Sequence, residues 1–179
     1  SCINMFGYLI IYSSTDGHTK IICERIKNFL NDRDQAKLVS LDEAKKLNLS
    51  NFNQIIIGAS IRYGKHSRDL YKFIELNKNI LDQKQGAFFS VNVVARKQEK
   101  NTAETNPYIK KFLKISKWTP KKIKVFAGKV DYPNYNFFDK YIIKFIMFIT
   151  KGPTDTSQSY EFTDWSKVDD FSEELKNNY

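Results

Sequence analysis

The chain has 179 residues, 41% of them hydrophobic, which is enough to enclose one full core and close to the size of a single domain. It carries 29 Lys and Arg against 20 Asp and Glu, a net charge of +9 that points toward anionic partners without choosing among them. No stretch of about 18 uncharged apolar residues occurs and the N-terminus lacks the zones of a signal peptide, so neither a membrane span nor secretion is expected. Cys2 and Cys23 stand in no metal or disulfide spacing.

In chain order, the apolar run Tyr8 to Tyr12 empties into Ser13, Ser14, Thr15, Asp16, Gly17, His18 and Thr19, a hydroxyl-rich turn with one glycine. The spacing predicts a helix from about Thr19 to Leu30, with Ile22, Ile26, Phe29 and Leu30 on one face, so its amide-rich end points back at the turn. That arrangement suits a small anion held by hydroxyls and backbone N–H groups. The lysine of a P-loop is missing, as is the Gly-x-Gly-x-x-Gly spacing of dinucleotide folds, which leaves a monophosphate as the better guess. The same pattern also serves as an ordinary N-cap. Asp16 beside a phosphate would repel it, so a bracing role suits Asp16 better.

Further strands are predicted at Lys37 to Ser40, Gln54 to Gly58, Ala87 to Asn92 and Lys124 to Gly128, after the first at Phe6 to Tyr12, with helical patterns in the gaps. Apolar strands alternating with helices imply an α/β three-layer sandwich whose parallel five-stranded sheet has the order 2-1-3-4-5. Ligands in such sheets sit beyond the carboxyl ends of strands one, three and four. Strand three ends in Ser60, Ile61, Arg62, Tyr63 and Gly64, and strand four in Ser90, Val91, Asn92, Val93 and Val94. Small residues and backbone amides at that rim suit a flat ring; they also suit tight turns alone.

Positive charge concentrates between Arg96 and Lys124, where ten Lys and Arg face only Glu99 and Glu104. A solvated lysine face explains this as well as an anionic partner does. About 35 residues then separate strand five from the helix capped at Thr163-Asp164-Trp165. Within them, Phe137 to Ile149 keeps helical spacing, with Phe137, Tyr141, Phe145 and Phe148 on one face and Lys140, Lys144 and Lys151 on the other. This profile fits an interfacial helix on an anionic membrane, or one covering its own core or a dimer contact. Residues 1–179 read as one domain, with 129–162 as its insertion.

Ser14-Thr15-Asp16-Gly17, Ile57 to Gly64, Ser90 to Lys97, Thr154-Asp155-Thr156 and Thr163-Asp164-Trp165 together resemble the flavodoxin-like, quinone-dependent protoporphyrinogen IX dehydrogenases of bacterial haem biosynthesis, along nearly the whole chain. The resemblance implies FMN, with its phosphate on Ser14 to Thr19 and its ring between Ser60 to Gly64 and Ser90 to Val94. It implies protoporphyrinogen IX as substrate, menaquinone or ubiquinone as acceptor, and a cytoplasmic enzyme peripheral on the inner face of the cell membrane. Arg62 and Arg96 are the first candidates for the substrate's propionates, because Arg offers a bidentate fork; Lys97, Lys140 and Lys144 come second. His66 is read as a surface or capping residue. No metal and no nucleic acid are expected. The alternatives are an electron carrier of the flavodoxin kind and an FMN-dependent NAD(P)H:quinone reductase. The basic charge and the aromatic insertion speak against the carrier.

Overall fold

A computed structural model describes residues 6–14, 16–31 and 35–177 of the chain. Five parallel strands, β1 (Phe6–Ser13), β2 (Ala36–Ser40), β3 (Phe52–Ser60), β4 (Gln85–Val91) and β5 (Lys122–Phe126), form one sheet in the order β2-β1-β3-β4-β5. The pleat explains the apolar runs: Leu9 and Ile11 face one core with Ile55, Ile57 and Phe88, while Tyr8 and Ile10 face another with Ile56 and Phe89. Helix α1 (His18–Leu30) supplies Ile22, Cys23 and Ile26 to the second core, and α7 (Trp165–Lys176) adds Val168, Phe171 and Leu175. The opposite layer holds α2 (Leu41–Ala44), α3 (Arg68–Leu76), α4 (Lys78–Gln83) and α5 (Pro107–Ser116). There Phe88 stacks on Phe112 at 3.6 Å between ring centroids. Gly58 lies under the Phe89 ring, where a Cβ would come within 2.2 Å of Cζ, so only glycine lets that ring lie on the strand.

The fifth strand ends at Phe126 rather than Gly128. Gly128 has left the sheet: its N–H bonds the Asn92 carbonyl, and its own carbonyl accepts from Phe162. The insertion begins there. Its base is a two-stranded antiparallel ribbon, β6 (Lys129–Asp131) with β7 (Ser159–Glu161), which the sequence pattern did not disclose. Between them stands α6 (Phe137–Ile149), capped by Asn136 accepting from the Asp139 N–H. Val130, Tyr132 and Met147 form a small separate core beneath it. Phe137, Phe138, Tyr141, Phe145, Phe148 and Ile149 of α6 are all exposed, so the aromatic face covers neither core.

Candidate active site

The turn after β1 is shaped by Gly17, whose φ of 90° belongs to the left-handed region that glycine enters without strain. The Gly17 N–H donates to Ser14 Oγ at 2.9 Å, and the His18 N–H donates to Asp16 Oδ1 at 3.3 Å. Asp16 therefore braces the loop. Gly17, at the N-cap of α1, makes no side-chain cap, and the positive end of the helix dipole faces the loop. Thr19, one residue into the helix, is fully buried, and its hydroxyl has no hydrogen-bond partner among the described residues. Thr15 lies outside the described residues. The His18 ring turns away from the loop. The Thr163 hydroxyl donates to the Ala127 carbonyl, so it accepts from His18 Nε2 at 2.7 Å. Burial lowers the His18 pKa in spite of the Glu161 carboxylate 3.8 Å away.

After β3, Arg62 and Lys65 exchange backbone hydrogen bonds at 2.8 and 3.1 Å around Tyr63 and Gly64. Both central residues have positive φ, 50° and 74°, the pattern of a type I′ turn. Tyrosine in that region is strained by about 1 kcal/mol, and the turn holds it half-exposed at the rim. Arg62 lies over the Tyr63 ring, and its Nη2 donates to Asp139 Oδ2 of α6 at 3.1 Å. The Tyr63 hydroxyl donates to Asp139 Oδ1. A clasp thus joins the β3 turn to the start of α6.

Behind the end of β4 lies a buried polar chain. His66 Nε2 meets Ser90 Oγ at 2.9 Å, Asn92 Nδ2 donates to Ser90 Oγ at 3.0 Å, and Asn92 and Asn106 pair through their amides. Asn106 also caps α5. His66 is not a surface residue as its sequence position suggests; Tyr71, Phe88 and Phe112 enclose its ring. Burial, then the Lys111 charge, takes its pKa from 6.5 to about 4. The unfolded chain binds this proton where the folded chain refuses it, so stability is lost as pH falls from about 6.5 toward 4 and is fully present above that window. Between pH 7 and 5, denaturant titrations should show wild type losing about 1–2 kcal/mol more than His66→Gln. Equal losses would assign the pH dependence to other groups.

Arg96, by contrast, is committed to the fold. Its guanidinium donates to the Val93 carbonyl at 3.1 Å and to the Thr150 carbonyl and hydroxyl at 3.0 and 3.1 Å. It thereby holds the carboxyl end of α6, and Gly152, where a Cβ would meet both Met147 and Arg96, lets the chain pass. A cavity of about 680 Å³ opens between these loops. Asp16, Thr19, Ser60 to Gly64 and Val91 to Val94 line it; Ser90, Arg96, Lys97, Lys140 and Lys144 do not.

Comparison with known proteins sets this site in a family. Residues 9–157 match the flavodoxin domain family. A Leishmania major protein named protoporphyrinogen IX dehydrogenase (quinone) is 42% identical over 169 residues, which cover 93% of this chain and 73% of that protein. An Escherichia coli strain K12 protein of the same name is 38% identical over 168 residues, 93% of each chain. The chain belongs to the protoporphyrinogen IX dehydrogenase family. This is a family of oxidoreductases built on the flavodoxin domain. The fold agrees: oxidised Flavodoxin 2 from Bacillus cereus superposes with a TM-score of 0.54 at 17% identity, covering 97% of this chain and 99% of that one.

A flavin cofactor fits the donor set of this dehydrogenase family member. The buried Thr19 hydroxyl, without a partner among the described residues, opens on this cavity beside Asp16 in the first turn of α1, where the positive end of a helix suits an anion. The rim loops of β3 and β4 offer small and apolar surfaces to a flat ring. Sequence reasoning missed the opposite wall, where Tyr135, Asn136, Asp139, Ile143 and Met147 of the insertion face the same cavity. The available signal was position, because the insertion departs from the carboxyl end of β5, on that same rim.

Proposed function

We propose that this protein oxidises protoporphyrinogen IX to protoporphyrin IX in haem biosynthesis, with FMN as its flavin and menaquinone or ubiquinone as electron acceptor. The observation that carries this reading is a cavity with the buried Thr19 hydroxyl, partnerless among the described residues, at one end and a helix whose aromatics face outward as its far wall. When bound, FMN supplies the two-electron chemistry that the side chains lack. Ser14, Thr15, Gly17, Thr19 and the α1 amides would hold the phosphate, with Asp16 and His18 fixing the loop around it. Ser60 to Gly64 and Ser90 to Val94 would flank the ring, Ser90 through its hold on Asn92. Arg62 is the cation best placed for a propionate. Lys97, Lys140 and Lys144 stand outside the cavity and serve the approach of anions rather than their final seat.

No helix among the described residues is long and apolar enough to cross a membrane. The α6 aromatics give the protein a way to lie on the inner face of the cell membrane, where a lipid-soluble quinone is met. Residues 1–179 act as one domain in this reading, and 129–162 are the part devoted to substrate and membrane. The deciding experiment is anaerobic: FMN-loaded protein, protoporphyrinogen IX and a menaquinone analogue, followed by porphyrin fluorescence. Flavin-dependent, quinone-stimulated growth of fluorescence supports the reading. Bound FMN without turnover overturns it in favour of an electron carrier, and rapid flavin reduction by NADPH in favour of a nicotinamide-dependent quinone reductase.

The Arg96 anchor adds a prediction. Arg96→Ala should keep its flavin and lower turnover severalfold with quinone, because it frees the end of α6 and takes from the loop beside the ring only one hydrogen bond, at the Val93 carbonyl. Arg96→Lys should recover only part of this, since an ammonium does not span Val93 and Thr150 as the planar fork does. Loss of FMN in both variants would move Arg96 into cofactor assembly.

A further inference from the structure

The clasp across the cavity has a chemistry of its own. The Asp139 side chain is only 17% exposed, whereas that of Arg62 is 50% exposed, and both line the cavity. Arg62 reaches Asp139 with Nη2, while Asp139 Oδ2 also accepts from Asn136 Nδ2 at 3.2 Å. A carboxylate is thus already seated on the guanidinium best placed to receive one. The far end of α6 is fixed independently, by Arg96 on Thr150 and by buried Met147. The helix is latched at its start by exposed polar contacts and anchored at its end by buried ones.

Resting on the function proposed above, we infer that Asp139 is an internal competitor for the substrate's carboxylates. It occupies Arg62 in the closed site, and a propionate of the porphyrinogen takes its place, which releases the start of α6. Arg62 holds one carboxylate before and after the exchange, and the Asp139 charge it gives up goes out to solvent with the released start of α6, so no unpaired ion is left buried. Asp139, once displaced, keeps Asn136 as a partner. Selection follows from the competition: a flat apolar ring without carboxylates leaves the clasp shut, while a propionate-bearing one opens it. Asp139 is a positioning and specificity residue here, and Tyr63 is its second tie.

The test compares binding of protoporphyrin IX and its dimethyl ester to FMN-loaded protein, by quenching of porphyrin fluorescence. Asp139→Asn should bind the diacid about two- to fivefold more tightly than wild type, the scale of an exposed ion pair, and leave the diester unchanged. Tyr63→Phe should shift the diacid in the same direction by less. Arg62→Ala should weaken the diacid, and in that background the gain from Asp139→Asn should vanish. In turnover, Asp139→Asn should lower KM with kcat little changed. A change that is equal for diacid and diester, or a gain that persists without Arg62, in a protein that does oxidise porphyrinogen overturns this inference alone. Wild-type protein that neither binds nor oxidises the tetrapyrrole overturns the proposed function and this inference with it.

Discussion

Thr19→Val is expected to yield a chain that is more stable without flavin, by about 1 kcal/mol, and that binds FMN about ten- to a hundredfold more weakly. Both effects come from one oxygen. The Thr19 hydroxyl is fully buried and without a partner among the described residues. An unpaired buried hydroxyl costs about 1–3 kcal/mol of desolvation, which valine, of the same shape, avoids. Against a phosphate the balance reverses, because a hydrogen bond to a charged acceptor contributes about 1.5–3 kcal/mol. Denaturation of the flavin-free protein gives the first sign and quenching of FMN fluorescence the second. Thr19→Ser should retain affinity. A valine variant with normal FMN affinity would place the phosphate elsewhere. The opposed signs guard the test against trivial misfolding, since a merely damaged helix would lose stability and ligand together.

Thr19 also shows what a sequence discloses and what it withholds. The strand, the hydroxyl-rich turn and the helix after it are local, and the period of the apolar residues places them. Sheet order followed from the alternation of apolar strands with helices, because right-handed crossovers leave few arrangements. That the hydroxyl would lack a partner is a property of three-dimensional packing. The same holds for the His18 ring, which leaves the loop for Thr163, a residue 145 positions away. The Arg62–Asp139 clasp joins residues 77 apart and has no local signature. The β6–β7 ribbon escaped for another reason, since three residues per strand are too few to show an alternation. His66 looked peripheral because its neighbours in sequence are polar; its enclosure comes from Tyr71, Phe88 and Phe112 on three other elements.

The two candidate arginines diverged on the same principle. Each follows a strand at the cofactor rim, so sequence treats them alike. Arg62 sits on a turn that projects over the cavity, with one ion pair to give up. Arg96 sits where two backbone carbonyls and a hydroxyl converge, and burial lowers its pKa with no carboxylate of the described residues paired with it. Carbonyls, not anions, complete its shell. A guanidinium satisfied in this way is a strut for α6, and the insertion's orientation depends on it.

The largest effect expected outside the cavity is on the aromatic face of that helix. Phe145→Ser with Phe148→Ser should reduce binding to vesicles containing anionic lipid by about one to three orders of magnitude, with FMN content unchanged. Phe145 and Phe148 are 63% and 72% exposed, so their rings contribute little to folding, and the double variant should differ from wild type by less than about 0.5 kcal/mol in stability. Burying two such rings in the interfacial region is worth about 2–4 kcal/mol, scaled down from full burial because each already touches its own helix. The lysines do not form the opposite face that the spacing suggests: Lys151 lies beyond the end of α6, and Lys144 stands 6.0 Å from the Tyr141 ring, beside the aromatics, where its ammonium meets anionic headgroups as the rings enter. Quinone-linked turnover on vesicles should fall in parallel, while turnover with a water-soluble quinone analogue should persist. That split separates membrane docking from damage to the site. Undiminished vesicle binding would assign the exposed aromatics to another occupant, with a second copy of the chain the next to test by sedimentation.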